Sequence, residues 1–207
     1  MRPTRDSINA LIAGTPAPLA GRDLLKAAWI ETPIGAMLAV ADPQALHLLE
    51  FFDRKGLPAE LIRLRKTARS AIGFADAAPL ESIRAELAAY FAGRSASFAT
   101  RLARHAAGFT LRVWDILAAI PPGATRTYGA IAAELGHPSA RAAARANGAN
   151  QLSIVIPCHR VIGADGDLTG YGGGLPRKRW LLDHEQAAFG RPLNAASAHD
   201  APKFSPA

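Results

Sequence analysis

A single cysteine, Cys158, is the feature that most restricts how this chain of 207 residues can be held together. One thiol cannot form an intramolecular disulfide or build a multi-cysteine zinc site. The fold must therefore rest on the burial of apolar side chains, and 49% of the residues are hydrophobic against 20% charged, as in ordinary globular proteins. A lone thiol also indicates a reducing compartment, so we expect a cytoplasmic protein whose fold needs no metal.

The charge of the chain favours a polyanionic partner without locating the contact surface. The formal net charge is +7 and the isoelectric point is near 10.2, and basic surfaces gain affinity for phosphates through counterion release. The excess is spread evenly, since residues 1–108 carry 14 Lys and Arg against 10 Asp and Glu, and residues 109–207 carry 10 against 7. No apolar stretch approaches the ~20 residues that span a bilayer. The apolar run at residues 8–14 is too short and interrupted to predict a signal peptide.

The first half of the chain has the pattern of a small α/β domain. Three short apolar runs, separated by turn sequences, predict a small antiparallel sheet, with strands at residues 25–30, 36–41 and 45–52. Two segments with helical spacing follow, at residues 59–71 and 80–92. We expect this domain to cover residues 25–105. A Pro/Gly/Ala-rich stretch at residues 14–21 separates it from a short N-terminal piece, so we interpret residues 1–24 as an extension.

The second half of the chain has a helical pattern. One helix is predicted from Phe109 until a Pro-Pro-Gly sequence stops it after Ile120. Thr127 then caps a helix that ends at Gly136, and a short turn leads into another helix over residues 139–149. This is the spacing of a helix-turn-helix. The fold class is therefore α+β, a small α/β domain followed by a mainly helical domain.

The last of these helices has almost no bulky side chains, because most of its residues are alanine. It could pack tightly on a neighbouring helix, or its small face could lie against a nucleic-acid backbone. In the second case Arg141 and Arg145, four residues apart and so on one side, would reach outward. We expect the helical domain to cover residues 106–190 and residues 191–207 to form a flexible tail.

The segment around Cys158 places polar side chains inside what reads as a buried strand at residues 154–163. A lone cysteine is most often a small buried hydrophobic residue. A thiol becomes a nucleophile when a neighbouring base or positive charge lowers its pKa, however. His159 and Arg160 both qualify, so the segment is a candidate for thiol chemistry.

Two further features follow the cysteine segment. Asp165-Gly166 is a hairpin-turn signal. Pro176 then opens a helix that runs to about Ala188 and carries His184 and Glu185. On spacing alone, the last two side chains would lie on a solvated helix face.

Taken together, these segments resemble the O6-alkylguanine-DNA alkyltransferases, also called methylated-DNA–protein-cysteine methyltransferases. The resemblance runs almost continuously from Phe109 to Glu185. Its motifs are Thr127-Tyr128-Gly129, Ala140-Arg141-Ala142, Asn147-Gly148-Ala149-Asn150, Ile156-Pro157-Cys158-His159-Arg160-Val161-Ile162-Gly163, Gly170-Tyr171 and Leu181-Leu182-Asp183-His184-Glu185. The N-terminal part is similar more loosely, and the resemblance implies a ribonuclease-H-like domain there.

The resemblance implies that the cysteine acts as a nucleophile and that the reaction uses no metal and no cofactor. Cys158 would attack the alkyl carbon on O6 of guanine, and on O4 of thymine, in an irreversible single turnover. His159, acting through a water and oriented by Glu185, would remove the thiol proton. Tyr128 would donate a proton to N3 of the departing guanine. Asn150 would tie the cysteine turn to the preceding helix.

The resemblance also implies that double-stranded DNA is the partner of a monomeric protein, bound through the minor groove with the damaged nucleotide flipped out of the stack. Arg141 matches the finger residue that fills the vacated space. Arg145 has no such counterpart, and we expect it to contact a phosphate. The further predicted contacts to DNA are Ala142 and Thr127. The base pocket is expected to be lined by Val161, Tyr171 and Gly172.

Three departures and three alternatives accompany the resemblance. The turn at residues 136–139 is one residue shorter than in some members, and Arg145 replaces a small residue. Residues 7–11 resemble the end of the regulatory module that precedes this domain in adaptive-response proteins, yet that module and its zinc cysteines are absent, which favours a stand-alone repair protein. A regulatory fragment is one alternative. A lesion-binding sensor is another, although such proteins lack the cysteine, and a thiol hydrolase built on Cys158 and His159 is the third.

Overall fold

The computed structural model of the chain describes residues 3–14, 24–137 and 139–190. The predicted tail at residues 191–207, and the Pro/Gly/Ala-rich stretch beyond Gly14, lie outside them. Within the described residues the chain is α+β, with seven α-helices and a four-stranded sheet, which confirms the predicted class. None of the helices in these ranges is both long enough and apolar enough to cross a membrane.

The chain divides into two compact units. The first combines residues 1–88 with residues 97–105, and the second combines residues 89–96 with residues 106–207. The first unit is built on a sheet with the order β3-β2-β1-β4, whose strands are β1 (Leu25–Ile30), β2 (Met37–Ala41), β3 (Leu46–Phe51) and β4 (Ile72–Phe74).

The three predicted strands are present, but the sheet is not purely antiparallel. β1, β2 and β3 form antiparallel pairs, whereas the unpredicted β4 pairs with β1 in parallel. Three residues are too few to show an alternating pattern, so the sequence carries no signal for this strand. The outer edge of β3 is covered as well, since the backbone of Leu46 bonds to Arg101 and Ala103. All six residues of β3 are buried.

Three helices begin in the first unit, α1 (Arg5–Ala13), α2 (Leu57–Ala68) and α3 (Ala78–Phe91). The interpretation of residues 1–24 as an extension did not anticipate α1. Ile8 and Ile12, four residues apart on one face of α1, are buried in the core formed with the sheet and α2. The helix therefore contributes to the core of the unit, because two β-branched side chains on one face gain free energy by leaving water.

The second unit contains the last turn of α3 and four further helices, α4 (Gly108–Ala119), α5 (Tyr128–Glu134), α6 (Ala140–Gly148) and α7 (Leu175–Phe189). The hydroxyl of Thr127 caps α5 as predicted, accepting from Ala130 N at 3.1 Å. The alanine-rich α6 uses one face for packing. Ala143 and Ala146 are buried, and the indole N–H of Trp114 on α4 donates to Ala146 O at 2.9 Å.

Residues 154–163 do not form the buried strand that the sequence predicts. They form tight turns, with Ile154 in the left-handed region at φ 73° and a 3₁₀ turn at Cys158–Arg160. Pro157 lacks the N–H that a central strand needs, which breaks the ladder just before the cysteine. Only Val161–Ile162 is extended; this short strand, β6, pairs in parallel with β5 (Arg126–Thr127).

The Asp165-Gly166 turn is present but joins no hairpin. Gly166 has φ 86°, and Gly163 N donates to Asp167 O at 2.9 Å, so the turn closes on itself. β6 pairs in parallel with β5 in a two-stranded sheet, and the described residues after the turn add no antiparallel strand to it. The chain instead continues through residues 168–174 into α7.

Candidate active site

Cys158 begins the 3₁₀ turn and is buried, with 5% of its surface exposed. Asn150, two residues beyond α6, holds this turn in place. Its side-chain N–H₂ donates to Ile156 O at 2.8 Å and to the sulfur of Cys158 at 3.1 Å. A donor directed at sulfur stabilises the thiolate relative to the thiol. The structure thus brings Asn150 and Cys158 together, as the resemblance implies.

Glu185 lies at the centre of a buried hydrogen-bond network. Its Oε1 accepts from Nε2 of His159 at 2.8 Å, and its two oxygens accept from Nη2 and Nε of Arg160, both at 2.8 Å. The backbone N–H of Gly123 adds a longer contact to Oε2, at 3.3 Å. The expectation that His184 and Glu185 lie on a solvated face is therefore wrong. Both are buried because polar groups from other segments satisfy them.

The electrostatics of this network determine the protonation of His159. Burial alone would raise the pKa of Glu185, but His159 and Arg160 together hold it well below its ordinary value. Burial lowers the pKa of His159, and the hydrogen bond to Glu185 only partly opposes this. A neutral imidazole beside a carboxylate must donate through Nε2. Nδ1, which is buried and has no hydrogen-bond partner among the described residues, is left with its lone pair as a base.

Tyr128 reaches the cysteine turn through the β5–β6 pairing, because it directly follows β5 and the turn directly precedes β6. Its hydroxyl donates to the backbone oxygens of Thr169 and Gly170, both at 3.3 Å. Burial, followed by the negative charge on Cys158, raises the pKa of Tyr128. The phenol therefore keeps its proton at neutral pH and can act as a donor.

Two of the three predicted pocket residues, Val161 and Tyr171, lie next to residues of the same turn. Val161 is buried directly after it. The ring of Tyr171 meets the ring of His159 edge-on, with centroids 6.4 Å apart. Gly172 is exposed, so its backbone is open to a ligand.

Lys178 on α7 is a member of the site that the sequence did not indicate. Its side chain is fully buried, and Nζ donates to Val161 O at 2.5 Å and to Thr169 O at 2.6 Å. Burial lowers the pKa of Lys178 to about 8, with the charge on Cys158 opposing that shift. A lysine in the first turns of a helix reads as a solvated side chain, so no sequence signal could have found it.

The buried amine of Lys178 should make stability depend on pH. Its folded pKa of about 8 lies below its ordinary value of 10.5, so the unfolded chain binds more protons between these values and stability rises with pH across that window. Relative to Lys178→Met, the wild-type free energy of unfolding should increase by about 3 kcal/mol from pH 8 to pH 10.5. Urea unfolding of both proteins at several pH values measures this difference.

Lys66→Met provides the control for this titration, because Lys66 is an exposed lysine of α2. That variant should follow the wild-type pH dependence. A wild-type curve parallel to that of Lys178→Met would show that folding does not lower the pKa of Lys178.

The predicted DNA contacts lie on and beside α6. Arg141 and Arg145 are exposed, and Ala142 between them is half-buried. Neither guanidinium pairs with a carboxylate in the described part of the chain. Thr127 is half-buried, and its hydroxyl is committed to capping α5. α6 therefore has a packed face of small residues, as the first interpretation predicts, and an open face with two cations. Contact of this helix with nucleic acid stays a prediction.

A buried thiol that accepts an amide N–H, beside a histidine held by an ionised carboxylate, has the components of an activated cysteine nucleophile. Comparisons with known proteins indicate where such a site occurs. The family model described as "6-O-methylguanine DNA methyltransferase, DNA binding domain" matches residues 108–187. The methylated-DNA–protein-cysteine methyltransferase of Salmonella typhimurium is 42% identical over 167 residues, which cover 75% of this chain and 92% of that protein.

Solved structures agree with the sequence comparison. The crystal structure of Mycobacterium tuberculosis O6-methylguanine methyltransferase has a TM-score of 0.68 and 37% identity, covering 83% of this chain and 97% of that chain. The same organism's OGT in complex with DNA has a TM-score of 0.66 and 38% identity, covering 77% and 92%. The chain belongs to the methylated-DNA–protein-cysteine methyltransferase family.

Proposed function

We propose that this protein repairs DNA by transferring an alkyl group, typically methyl, from O6 of guanine to Cys158. The observation that carries the proposal is the geometry of the thiol, which accepts an N–H from Asn150 at 3.1 Å and is followed in the chain by a histidine bonded to Glu185 at 2.8 Å. Relatives that bear this name, and a similar structure in complex with DNA, support it. O4 of thymine is a second substrate in this proposal.

The transfer begins with the thiol proton. The lone pair on Nδ1 of His159 takes this proton through a water, and the resulting imidazolium is stabilised by Glu185. The thiolate then attacks the alkyl carbon, so that a C–S bond forms as the C–O6 bond breaks and its electron pair passes to guanine. Tyr128 protonates N3 as this charge develops. The tyrosinate then regains a proton from solvent and the imidazolium of His159 gives one up, so in net terms the thiol proton ends on guanine. The net products are a thioether at Cys158 and an unmodified guanine.

The reaction is stoichiometric because the product has no route back to the thiol. Return to the thiol would require a nucleophile to displace the thiolate of Cys158 from an unactivated alkyl carbon, and a base such as His159 does not make the C–S bond easier to break. One protein molecule therefore repairs one base and needs no cofactor. This feature separates alkyl transfer from hydrolysis, which would regenerate free Cys158.

DNA binding is assigned to α5 and α6, which we propose act as a helix-turn-helix that enters the minor groove. The small residues of α6, with Ala142 at the surface, allow close approach to the backbone, and Thr127 lies at the start of α5. O6 of a paired guanine is out of in-line reach of a buried thiolate, so the nucleotide must be flipped out of the stack. Arg141 fills the space that it leaves. Val161, Tyr171 and Gly172 line the pocket that receives the base.

The domains follow from this assignment. We assign residues 25–105 to a ribonuclease-H-like domain and residues 106–190 to the catalytic and DNA-binding domain, with residues 89–96 belonging to the second compact unit. The protein acts as a monomer in the cytoplasm. Intact mass after incubation with duplex DNA that contains O6-methylguanine tests the function. One added methyl group is expected. DNA binding without a change in mass would indicate a lesion sensor instead, and release of the alkyl group with recovery of free thiol would indicate a hydrolase.

The two arginines of α6 should differ in function although both are exposed. Arg141→Ala should slow repair of duplex DNA much more than reaction with a free O6-alkylguanine base, because only the duplex requires flipping. Arg145→Ala should instead weaken duplex binding and reduce its log-log salt slope by about one phosphate contact. Single-turnover rates on both substrates, and duplex affinity across a salt series, measure these effects.

Each arginine variant is the matched control for the other, since both remove one guanidinium from the same helix face. Equal loss on the free base for Arg141→Ala would mean that this residue supports the active site rather than the flip. An unchanged salt slope for Arg145→Ala would show that Arg145 makes no phosphate contact.

A further inference from the structure

Tyr90, in the last turn of α3, is bound at two points by consecutive residues of α7. Its hydroxyl donates to Oε1 of Glu185 at 2.7 Å, and its backbone oxygen lies 2.8 Å from Nε2 of His184. The side chain is fully buried. The contact with His184 satisfies a backbone oxygen at the end of α3, whereas the contact of the hydroxyl ends on the carboxylate that orients His159.

Oε1 of Glu185 is shared by three donors, the hydroxyl of Tyr90, Nε2 of His159 and Nη2 of Arg160. Each donor withdraws part of the negative charge on that oxygen. The strength with which Oε1 attracts the proton on His159 therefore depends on how much of its charge the other two donors already satisfy. The phenol of Tyr90 carries no charge, so its removal changes hydrogen bonding at Oε1 without changing net charge.

We propose that Tyr90 is a positioning residue for the alkyl transfer, which acts through Glu185 to set the basicity of His159. This inference rests on the proposed function. Tyr90 fixes the carboxylate in the orientation that meets Nε2 and limits its charge, so that His159 stays neutral and keeps the lone pair of Nδ1 available for the thiol proton.

The direction of the effect follows from the other groups that face the pair. Arg160 and Lys178 add positive charge near His159, and Tyr171 contacts its ring; all three remain when Tyr90 is changed. In Tyr90→Phe, Oε1 loses one donor and becomes a stronger acceptor, so the imidazolium form of His159 is stabilised and the pKa of His159 rises. Glu185→Gln removes the carboxylate charge and should move that pKa in the opposite direction.

The test is the pH dependence of single-turnover transfer from O6-methylguanine DNA at saturating DNA. His159 must be neutral to accept the thiol proton, so the acid limb of the profile should move to higher pH by about one unit in Tyr90→Phe. Phe91→Leu is the matched control. Phe91 is the next residue of α3 and packs in the same aromatic cluster, with its ring centroid 5.7 Å from that of Trp180, but none of its atoms donates to Glu185.

Phe91→Leu should lower the melting temperature while its acid limb stays at the wild-type position. An acid limb of Tyr90→Phe at the wild-type position, or an equal displacement in Phe91→Leu, would overturn the proposal and leave Tyr90 a packing residue.

A second measurement does not depend on repair activity. The imidazole of His159 is titrated by NMR in the wild type, Tyr90→Phe and Glu185→Gln, with its signals assigned by their loss in His159→Asn. Shifts of the His159 pKa in opposite directions in Tyr90→Phe and Glu185→Gln support the proposal, and shifts in the same direction overturn it. Lack of methyl uptake by the wild type would refute the proposed function alone, because this titration would still decide the role of Tyr90.

Discussion

Replacing Cys158 with serine should abolish alkyl uptake while leaving affinity for duplex DNA within about twofold of wild type. The hydroxyl is nearly isosteric with the thiol, so the buried turn and its contact from Asn150 can persist. Its pKa is far higher, however, and a neutral imidazole cannot generate the alkoxide at neutral pH. Intact mass after incubation with O6-methylguanine DNA, and duplex affinity by titration, measure the two quantities separately.

The same experiment separates the nucleophile from the binding surface. Binding is assigned to exposed residues of α6, whereas Cys158 is buried. Methyl uptake retained by Cys158→Ser would refute the mechanism, because the chain contains no second thiol to accept the group. A large loss of affinity would instead show that the cysteine turn supports the DNA-binding surface.

Replacing Glu185 with glutamine should have the second largest effect, on both rate and stability. The rate at neutral pH should fall by about 10²–10⁴, the range expected when a general base loses its orienting partner. The free energy of unfolding should fall by about 3–5 kcal/mol, because Arg160 stays buried without its counter-charge. With its pKa lowered, His159 becomes too weak a base to take the thiol proton, so the thiol must ionise unaided, closer to the free-cysteine pKa of about 8.5. The rate should then follow the thiol rather than His159 and rise with pH beyond the wild-type plateau.

Asp183→Asn is the control for Glu185→Gln, since Asp183 is an exposed carboxylate on the same helix. It removes the same charge without touching the network and should leave rate and profile unchanged. An unchanged pH–rate profile in Glu185→Gln itself would count against the relay, and Arg160 or a helix terminus would then be the source of thiol activation. Single-turnover rates and urea unfolding supply both comparisons.

Local sequence signals predicted the elements that depend on local rules. The apolar periodicity located α4, α5 and α7 to within a few residues, and Thr127 caps α5 as its position indicates. The adjacency of Cys158 to His159 indicated thiol chemistry before any partner was known. The functional roles of these residues stay predictions, to be tested by the variants above.

Predictions from the sequence were wrong or missing where contacts with distant residues decide the conformation of a segment. Residues 154–163 have the apolar composition of a strand, but Pro157 and the side chain of Asn150 make turns the better way to satisfy their backbone. β4, with three residues, and β6, with two, are too short to show a periodicity, so the sequence could not predict them. Their extended conformation comes from pairing with distant strands. Helical spacing likewise placed Glu185 in solvent, since spacing does not report what lies opposite a helix face.

By itself, the sequence determined the helices from α2 onward, the lone nucleophile with its adjacent base, and an α+β chain without disulfides. Only the tertiary structure decided which oxygen atoms receive the buried donors. Tyr90 and Glu185 are 95 residues apart and meet at one carboxylate oxygen, and Lys178 is buried because two backbone oxygens accept its protons. Burying a charged or polar group is favourable only when its partners are already in place, and such partners come from distant parts of the chain that no local pattern records.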